Sequence, residues 1–143
     1  MLVSTRGRYA LRVVIDLANQ NSGAYIPLKD IADRQEISEK YLESIVKLLT
    51  KAGLLEGLRG KGGGYKLTKP AEEYTVYSIL ELTEDGLAPV SCLECSGKAC
   101  PRAAECPTLS LWKGLDDTIR EYLTNITVAD LLHDGQGGNE YVI

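Results

Sequence analysis

The chain has 143 residues, with 16 Lys+Arg against 20 Asp+Glu and a formal net charge of −4. That length supports one compact core with at most an added association element, and no apolar run approaches the ~20 residues of a membrane span. The opening Met1-Leu2-Val3-Ser4-Thr5-Arg6-Gly7-Arg8 lacks a signal-peptide stretch, so a cytoplasmic protein with no membrane association is expected.

Ser4 or Thr5 can cap a first helix running to about Asn19, in which Ala10, Val13, Val14, Leu17 and Ala18 recur at helical spacing. A short second helix is predicted from about Leu28 to Arg34, burying Leu28, Ile31 and Ala32. The third has the clearest signals. Ser38 is a good N-cap, Glu39 suits the first turn, and Ile37 can pack on Leu42 as a hydrophobic staple. Leu42, Ile45, Val46 and Leu49 form its buried face, and Gly53 can terminate it. Glu39, Lys40, Glu43, Ser44, Lys47 and Lys51 then face outward. Two helices across a tight turn, the second with a polar exposed face, make a helix-turn-helix whose second helix can enter a major groove.

Leu54 to Arg59 and Tyr65 to Thr68 read as two strands joined by Gly60-Lys61-Gly62-Gly63-Gly64, a hairpin. Directly after a helix-turn-helix, such a hairpin is a wing. Its glycines leave room for close backbone approach, while Arg59 and Lys61 can contact phosphate or a minor-groove floor. A nucleotide-phosphate loop is set aside, because the spacing fits neither common glycine motif. Thr75 can cap a further helix to about Leu82, closed by Glu84-Asp85-Gly86.

All four cysteines follow, as Cys92-x2-Cys95-x4-Cys100-x5-Cys106, with Gly97 and Pro101 interrupting any regular element. A cytosolic cluster of this density suits metal or redox chemistry better than structural disulfides. Thiolates serve iron–sulfur clusters and zinc alike, and a metal-free thiol switch at Cys92 and Cys95 is a third option. Pro107 can open a long helix with Trp112, Leu115, Ile119, Tyr122 and Ile126 on one apolar stripe, widened by Leu109, Leu111 and Leu123. That stripe suits the same helix of a second subunit, or the chain's own first helix. Residues 127–132 make a last apolar turn, and His133 lies in a polar tail expected to be disordered.

The fold class expected is mainly α with a small β-hairpin wing, a winged helix-turn-helix plus a long dimerisation helix. Its parts would be a DNA-binding domain at 1–83, a cysteine-rich cluster-binding loop at 84–106, a dimerisation helix and turn at 107–132, and a tail at 133–143. Charge follows this division. Residues 1–70 carry 12 Lys+Arg against 7 Asp+Glu, and residues 71–143 carry 4 against 13. The basic half fits phosphate contacts, and the acidic half would lie away from a polyanion.

Ser4-Thr5-Arg6-Gly7-Arg8-Tyr9-Ala10-Leu11-Arg12, Tyr41-Leu42-Glu43, Arg59 to Tyr65 with its glycines, Thr75-Val76 and the segment from Leu111-Trp112 to Ile126-Thr127-Val128 together resemble the IscR/NsrR/CymR family of winged helix-turn-helix regulators. The resemblance covers nearly the whole chain. It implies a homodimer on palindromic double-stranded DNA operators and, in the IscR-like branch, a 2Fe-2S cluster held by three cysteines and a fourth ligand. Genes of iron–sulfur cluster biogenesis or related stress responses are the implied targets. Cys100-x5-Cys106 followed by Thr108 and Leu111-Trp112 matches the last two cluster cysteines of that branch; the first could be Cys92 or Cys95. The chain departs from the pattern at Leu109, where IscR-like proteins supply a histidine, and at Arg8 and Arg12, near where NsrR-like members place an acidic ligand. A four-cysteine site of Cys92, Cys95, Cys100 and Cys106 is the simplest repair, with zinc as the alternative metal.

Candidate DNA contacts are Ser38, Lys40, Glu43 and Lys47 in the major groove and Arg59, Lys61 and Gly62 in the wing. Glu43 can equally pair with Lys47, four residues on. Candidate dimerisation residues are Trp112, Leu115, Ile119 and Tyr122. An enzyme is not expected, since no histidine neighbours a cysteine nucleophile and no scaffold places paired carboxylates. The competing function is a winged-helix regulator with structural zinc or a thiol switch, controlled by a bound metabolic enzyme.

Overall fold

A computed structural model of the chain describes residues 3–20, 22–94 and 100–136. In chain order these form α1 (Thr5–Gln20), α2 (Leu28–Gln35), α3 (Glu39–Lys51), β1 (Leu55–Leu58), β2 (Gly64–Leu67), α4 (Val76–Thr83), α5 (Leu109–Thr124) and α6 (Val128–Gln136). The mainly helical class with a hairpin wing is what the periodicities predict.

Helical spacing decides the core. Ala10, Val13, Val14 and Leu17 of α1 meet Ile31 and Ala32 of α2, Leu42, Ile45, Val46 and Leu49 of α3, and Leu55, Tyr74, Ile79 and Val128. Each helix offers one apolar stripe, and α1 lies where the stripes converge, packed on α2, α3, α4, α6 and β2. The caps follow the residue types. Ser38 Oγ accepts from the Tyr41 N–H at 3.1 Å, and Thr75 Oγ1 accepts from the Ser78 N–H at 3.1 Å. Of the two candidates at α1, Ser4 is the cap, its Oγ accepting from the Gly7 N–H at 3.0 Å. Gly53 adopts φ +79 just past α3, the left-handed exit its position suggests.

The hairpin is antiparallel, pairing Leu55 with Leu67, Glu56 with Lys66, Gly57 with Tyr65 and Leu58 with Gly64. Ile26 adds a bridge that strand patterning does not announce: its N–H and C=O exchange 2.8 Å hydrogen bonds with Tyr65. Only glycine fits beside it. Gly64 has φ +149, and a Cβ there would overlap the Ile26 carbonyl. The wing is thereby tied to the connection between α1 and α2.

The C-terminal part is clipped on through residues 74–76. Thr75 bridges Thr127, the Val76 N–H donates to the Ile126 carbonyl and the Val128 N–H to that of Tyr74, both at 2.9 Å. Thr127 and Asp130 then form a reciprocal cap for α6, at 2.9 and 3.2 Å. That helix runs through Gln136, so residues 133–136, expected as tail, are helical; residues 137–143 lie outside the described residues. The long helix starts at Leu109 rather than at Pro107. It leans chiefly on α4, while α1 is covered by α4 and α6.

Tyr74 joins core and wing. Fully buried, it donates from its hydroxyl to the Leu54 carbonyl at 2.7 Å and accepts from the Thr68 N–H at 2.9 Å. Tyr74→Phe nearly keeps the volume, orphans the Thr68 N–H and leaves the Leu54 carbonyl only the 3.3 Å bond from the Thr68 hydroxyl, so a loss of about 1–2 kcal/mol is expected from the denaturant midpoint at fixed protein concentration. An unchanged midpoint would show that water replaces the hydroxyl without cost.

Candidate nucleic-acid interface and cysteine loop

The outward face of α3 and the hairpin enclose a groove of about 1010 Å3. Its walls carry five cations, Lys29, Lys40, Lys47, Lys51 and Arg59, and two carboxylates, Glu39 and Glu43. The cations reach it because Leu42, Ile45, Val46 and Leu49 take the opposite face of α3 into the core. Lys40, Glu43 and Lys47 of the expected set line this groove with Arg59. Ser38, Lys61 and Gly62 do not line it. Ser38 is exposed at the start of α3 with its hydroxyl engaged as the cap, while Lys61 and Gly62 are exposed at the hairpin tip, Gly62 with φ +75. Lys29 and Lys51 are additions. Lys51 has the outward spacing of Lys47, whereas Lys29 is brought in by the Ile26–Tyr65 bridge, which sets the hairpin beside the start of α2 and which no local pattern reports.

The tip is built on tight backbone. The Gly63 N–H donates to the Gly60 carbonyl at 3.0 Å, and a Cβ at Gly63 would overlap the Leu58 carbonyl.

The angle between α2 and α3 is fixed from α1. Asp16, 3% exposed, accepts from Arg34 Nε at 3.0 Å, Arg34 Nη2 at 2.7 Å and Gln35 Nε2 at 2.9 Å. Arg12 Nε donates to Gln35 Oε1 at 3.0 Å, and its Nη2 to the Gln35 carbonyl. Glu36 then turns the chain with φ 55. Tyr9 meets Tyr41 of α3 edge to face, ring centres 5.7 Å apart, with the Arg12 guanidinium 5.2 Å over the Tyr9 ring. Arg12, one of the positions where the chain departs from the NsrR-like pattern, thus braces the helix-turn-helix through Gln35 and Tyr9.

Of the cysteines, Cys92 is exposed and Cys100 and Cys106 half-buried, all as free thiols; Cys95 lies outside the described residues. Single helical turns at Ser91–Leu93 and Ala103–Glu105 punctuate the loop. Cys106 Sγ lies 3.4 Å from Thr108 Oγ1. The Thr108 hydroxyl, helped by the Thr108 and Leu109 N–H groups at the start of α5, lowers the Cys106 pKa and favours thiolate. Among the described residues no three His, Cys, Asp or Glu side chains gather as a metal-holding group. The donor set itself, thiols with one biased toward thiolate, is of the kind that iron–sulfur clusters and zinc take. His133 is exposed in α6, one turn from Asp130.

No residue of α5 is fully buried. Trp112, Ile119, Leu123 and Ile126 are half-buried, while Leu115, Leu111 and Tyr122 are 40, 60 and 65% exposed. The single stripe read from sequence is therefore two adjoining faces, one against the chain itself and one open. No described helix is long and apolar enough to cross a membrane.

Comparison with known proteins agrees with this architecture. A structure titled CymR, the global cysteine regulator of B. subtilis, is 34% identical, covers 94% of this chain and 98% of its own, and superposes with a TM-score of 0.76. A structure of T. potens IscR, also 34% identical, covers 100% and 92% with a TM-score of 0.74. Protein rrf2 of Nitratidesulfovibrio vulgaris strain Hildenborough is 39% identical over 134 residues, 94% of this chain and 89% of that protein. The family model described as an iron-dependent transcriptional regulator matches residues 3–134, and the chain belongs to this Rrf2 family of helix-turn-helix regulators, which are not enzymes.

Proposed function

We propose that the protein is a homodimeric regulator that binds palindromic double-stranded DNA, with operator binding controlled by a 2Fe-2S cluster on Cys92, Cys95, Cys100 and Cys106. The observation that carries the DNA-binding part is the groove between α3 and the hairpin, where five cations converge although the chain as a whole is acidic. Phosphate contacts from Lys40, Lys47 and Arg59 would fix the register on the duplex, with Lys61 and Gly62 reaching the backbone or minor groove from the tip. Ser38 and Glu43 would read base edges. A carboxylate facing DNA gains only where it accepts from a cytosine amine or repels a wrong sequence.

For the dimer, the support is the open face of Leu111, Leu115 and Tyr122 beside half-buried Trp112 and Ile119. An apolar patch on a helix with no buried residue is most simply covered by its own symmetry mate. The cluster would supply a centre that gathers four thiolates and is sensitive to iron supply, oxidation and nitric oxide. The chain's own part is to offer those thiols in one fifteen-residue segment and to hold Cys106 toward thiolate through Thr108. That bias also supports a second reading, a metal-free thiol switch, since a thiolate is what oxidants attack. An anaerobic ultraviolet-visible spectrum, with iron, sulfide and zinc assayed on the same sample, separates the two. Visible charge-transfer bands with matched iron and sulfide are expected; a colourless, metal-free protein would leave the thiol switch, and one zinc per chain a structural clasp.

Four variants test the reading at DNA. Cys100→Ala with Cys106→Ala should change operator affinity, and an unchanged operator isotherm would sink cluster control. Arg59→Ala should weaken specific and non-specific DNA alike and lower the magnitude of the log K against log salt slope by about 1. Glu43→Ala should leave that slope alone and relax discrimination at one operator position by about 1–3 kcal/mol; equal losses on every sequence would mean the carboxylate reads no base. Gly63→Ala should reduce operator affinity with little change in Tm, because it reshapes the exposed tip and spares the core.

A further inference from the structure

The first turn of α1 is held by a residue at the root of the cysteine loop. Glu84 ends α4 and begins the segment that leads to Cys92. Its carboxylate accepts from the Ser4 N–H at 3.1 and 3.3 Å and from the Ser4 hydroxyl at 2.7 Å. Ser4 Oγ in turn accepts from the Gly7 N–H, so the cap of α1 is completed by a carboxylate from 80 residues away, at the helix end that favours negative charge. Next to it, Arg6 Nη2 donates to the Thr83 carbonyl at 2.8 Å. A side chain at Gly7 would have to displace the Glu84 carboxylate. A Cβ there would overlap Glu84 Oε1 and press to 3.1 Å on Leu80 and Thr83.

This joint touches both ends of the molecule. On the loop side, Glu94, two residues past Cys92, folds back against Gly86, and Leu93 and Glu94 share a cleft with Glu84 and with Asp116, Ile119 and Arg120 of α5. On the DNA side, the next turns of α1 hold Tyr9 against Tyr41 of α3 and Arg12 on Gln35 at the end of α2. A displacement of the loop root thus has a continuous, packed route to the recognition helix.

We infer that Glu84 is the positioning residue that couples the cysteine loop to operator binding: it clamps the N-terminus of α1, and α1 sets the helix-turn-helix. The inference rests on the loop control proposed above. Rearrangement of the 92–106 segment moves the Glu84 carboxylate relative to Ser4 and Gly7. The α1 cap loosens or tightens, and Tyr41 and Gln35 shift with it. Glu84 touches no DNA in this scheme, and its effect is confined to how strongly the loop is felt there.

The test is a coupling ratio, the fold-change in operator Kd between protein with intact loop cysteines and the Cys100→Ala, Cys106→Ala protein. In the parent a ratio of about 5–150 is expected for coupled sites. Glu84→Ala and, independently, Gly7→Ala should bring it to within about twofold of 1, with affinity for non-specific DNA and its salt slope unchanged. Glu84→Gln keeps an acceptor oxygen for Ser4 and should retain most of the ratio. Should Gly7→Ala fold poorly, Ser4→Ala removes the hydroxyl donor from the same contact and should lower the ratio too. A parental ratio persisting in Glu84→Ala, whatever its Tm, would make the contact a simple helix cap and overturn the inference alone. A ratio of 1 in the parent would overturn loop control itself, and the clamp with it.

Discussion

Three hydrogen bonds to one buried carboxylate hold the DNA-facing half in shape. Asp16 lies on α1 among Val13, Val14 and Leu17, where an unpaired charge would cost several kcal/mol of desolvation. It is tolerated because Arg34 approaches in bidentate fashion and Gln35 adds a third donor. Those donors come from the last turn of α2, so satisfying the charge also fixes where α2 stops and where Glu36 must turn. Apolar residues of the same volume could fill that space equally well. They would not specify the direction in which α3 leaves the turn, and direction is what a recognition helix needs.

The wing depends on α1 less directly. Ile26 leaves the connection after α1 as a third partner for the hairpin, and its exchange with Tyr65 requires the bare backbone of Gly64. Tyr74 then ties Leu54 and Thr68 across the root of the hairpin. A two-stranded hairpin alone is marginal in water, and these two attachments make it part of the core. Recognition helix and wing therefore form one rigid surface whose common support is α1.

Much of the fold was legible in the chain because its signals are local. Ser38, Thr75 and Ser4 cap the helices their residue type suggests, and the stripes of α1 and α3 are buried as spaced. The groove was half legible. Lys40, Glu43 and Lys47 follow from outward spacing on α3 and Arg59 from its place beside the glycine loop, whereas Lys29 depends on the long-range bridge of Ile26 to Tyr65. What stayed hidden has a common physical form, a contact between residues far apart in sequence whose chemistry suits many roles. Ser4 with Glu84, Asp16 with Arg34 and Ile26 with Tyr65 are all of this kind. The stripe of α5 shows a different blindness. Periodicity finds the apolar residues, but cannot divide them between Trp112 and Ile119, turned to the chain itself, and Leu115 and Tyr122, left open.

Charge gives the last link between these parts. Glu81, Glu84, Asp85, Glu94 and Asp116 gather in the cleft between α4, the loop root and α5, with Arg120 among them paired to Asp116 at 3.9 Å and lying 5.6 Å over the Tyr77 ring. The cations of the groove lie on other elements, α2, α3 and the hairpin. A carboxylate-rich joint near DNA would be repelled by phosphate within a Debye length of about 8 Å. The charge-segregated sequence therefore suits a division of labour in which the acidic part can rearrange without competing for the polyanion, and any control of the groove by the cysteine loop, as proposed, would then travel through packing. The contact of Glu84 with the first turn of α1 is one in which a carboxylate from the acidic half bonds directly to the basic half, and it does so at the helix that both the recognition helix and the wing depend on.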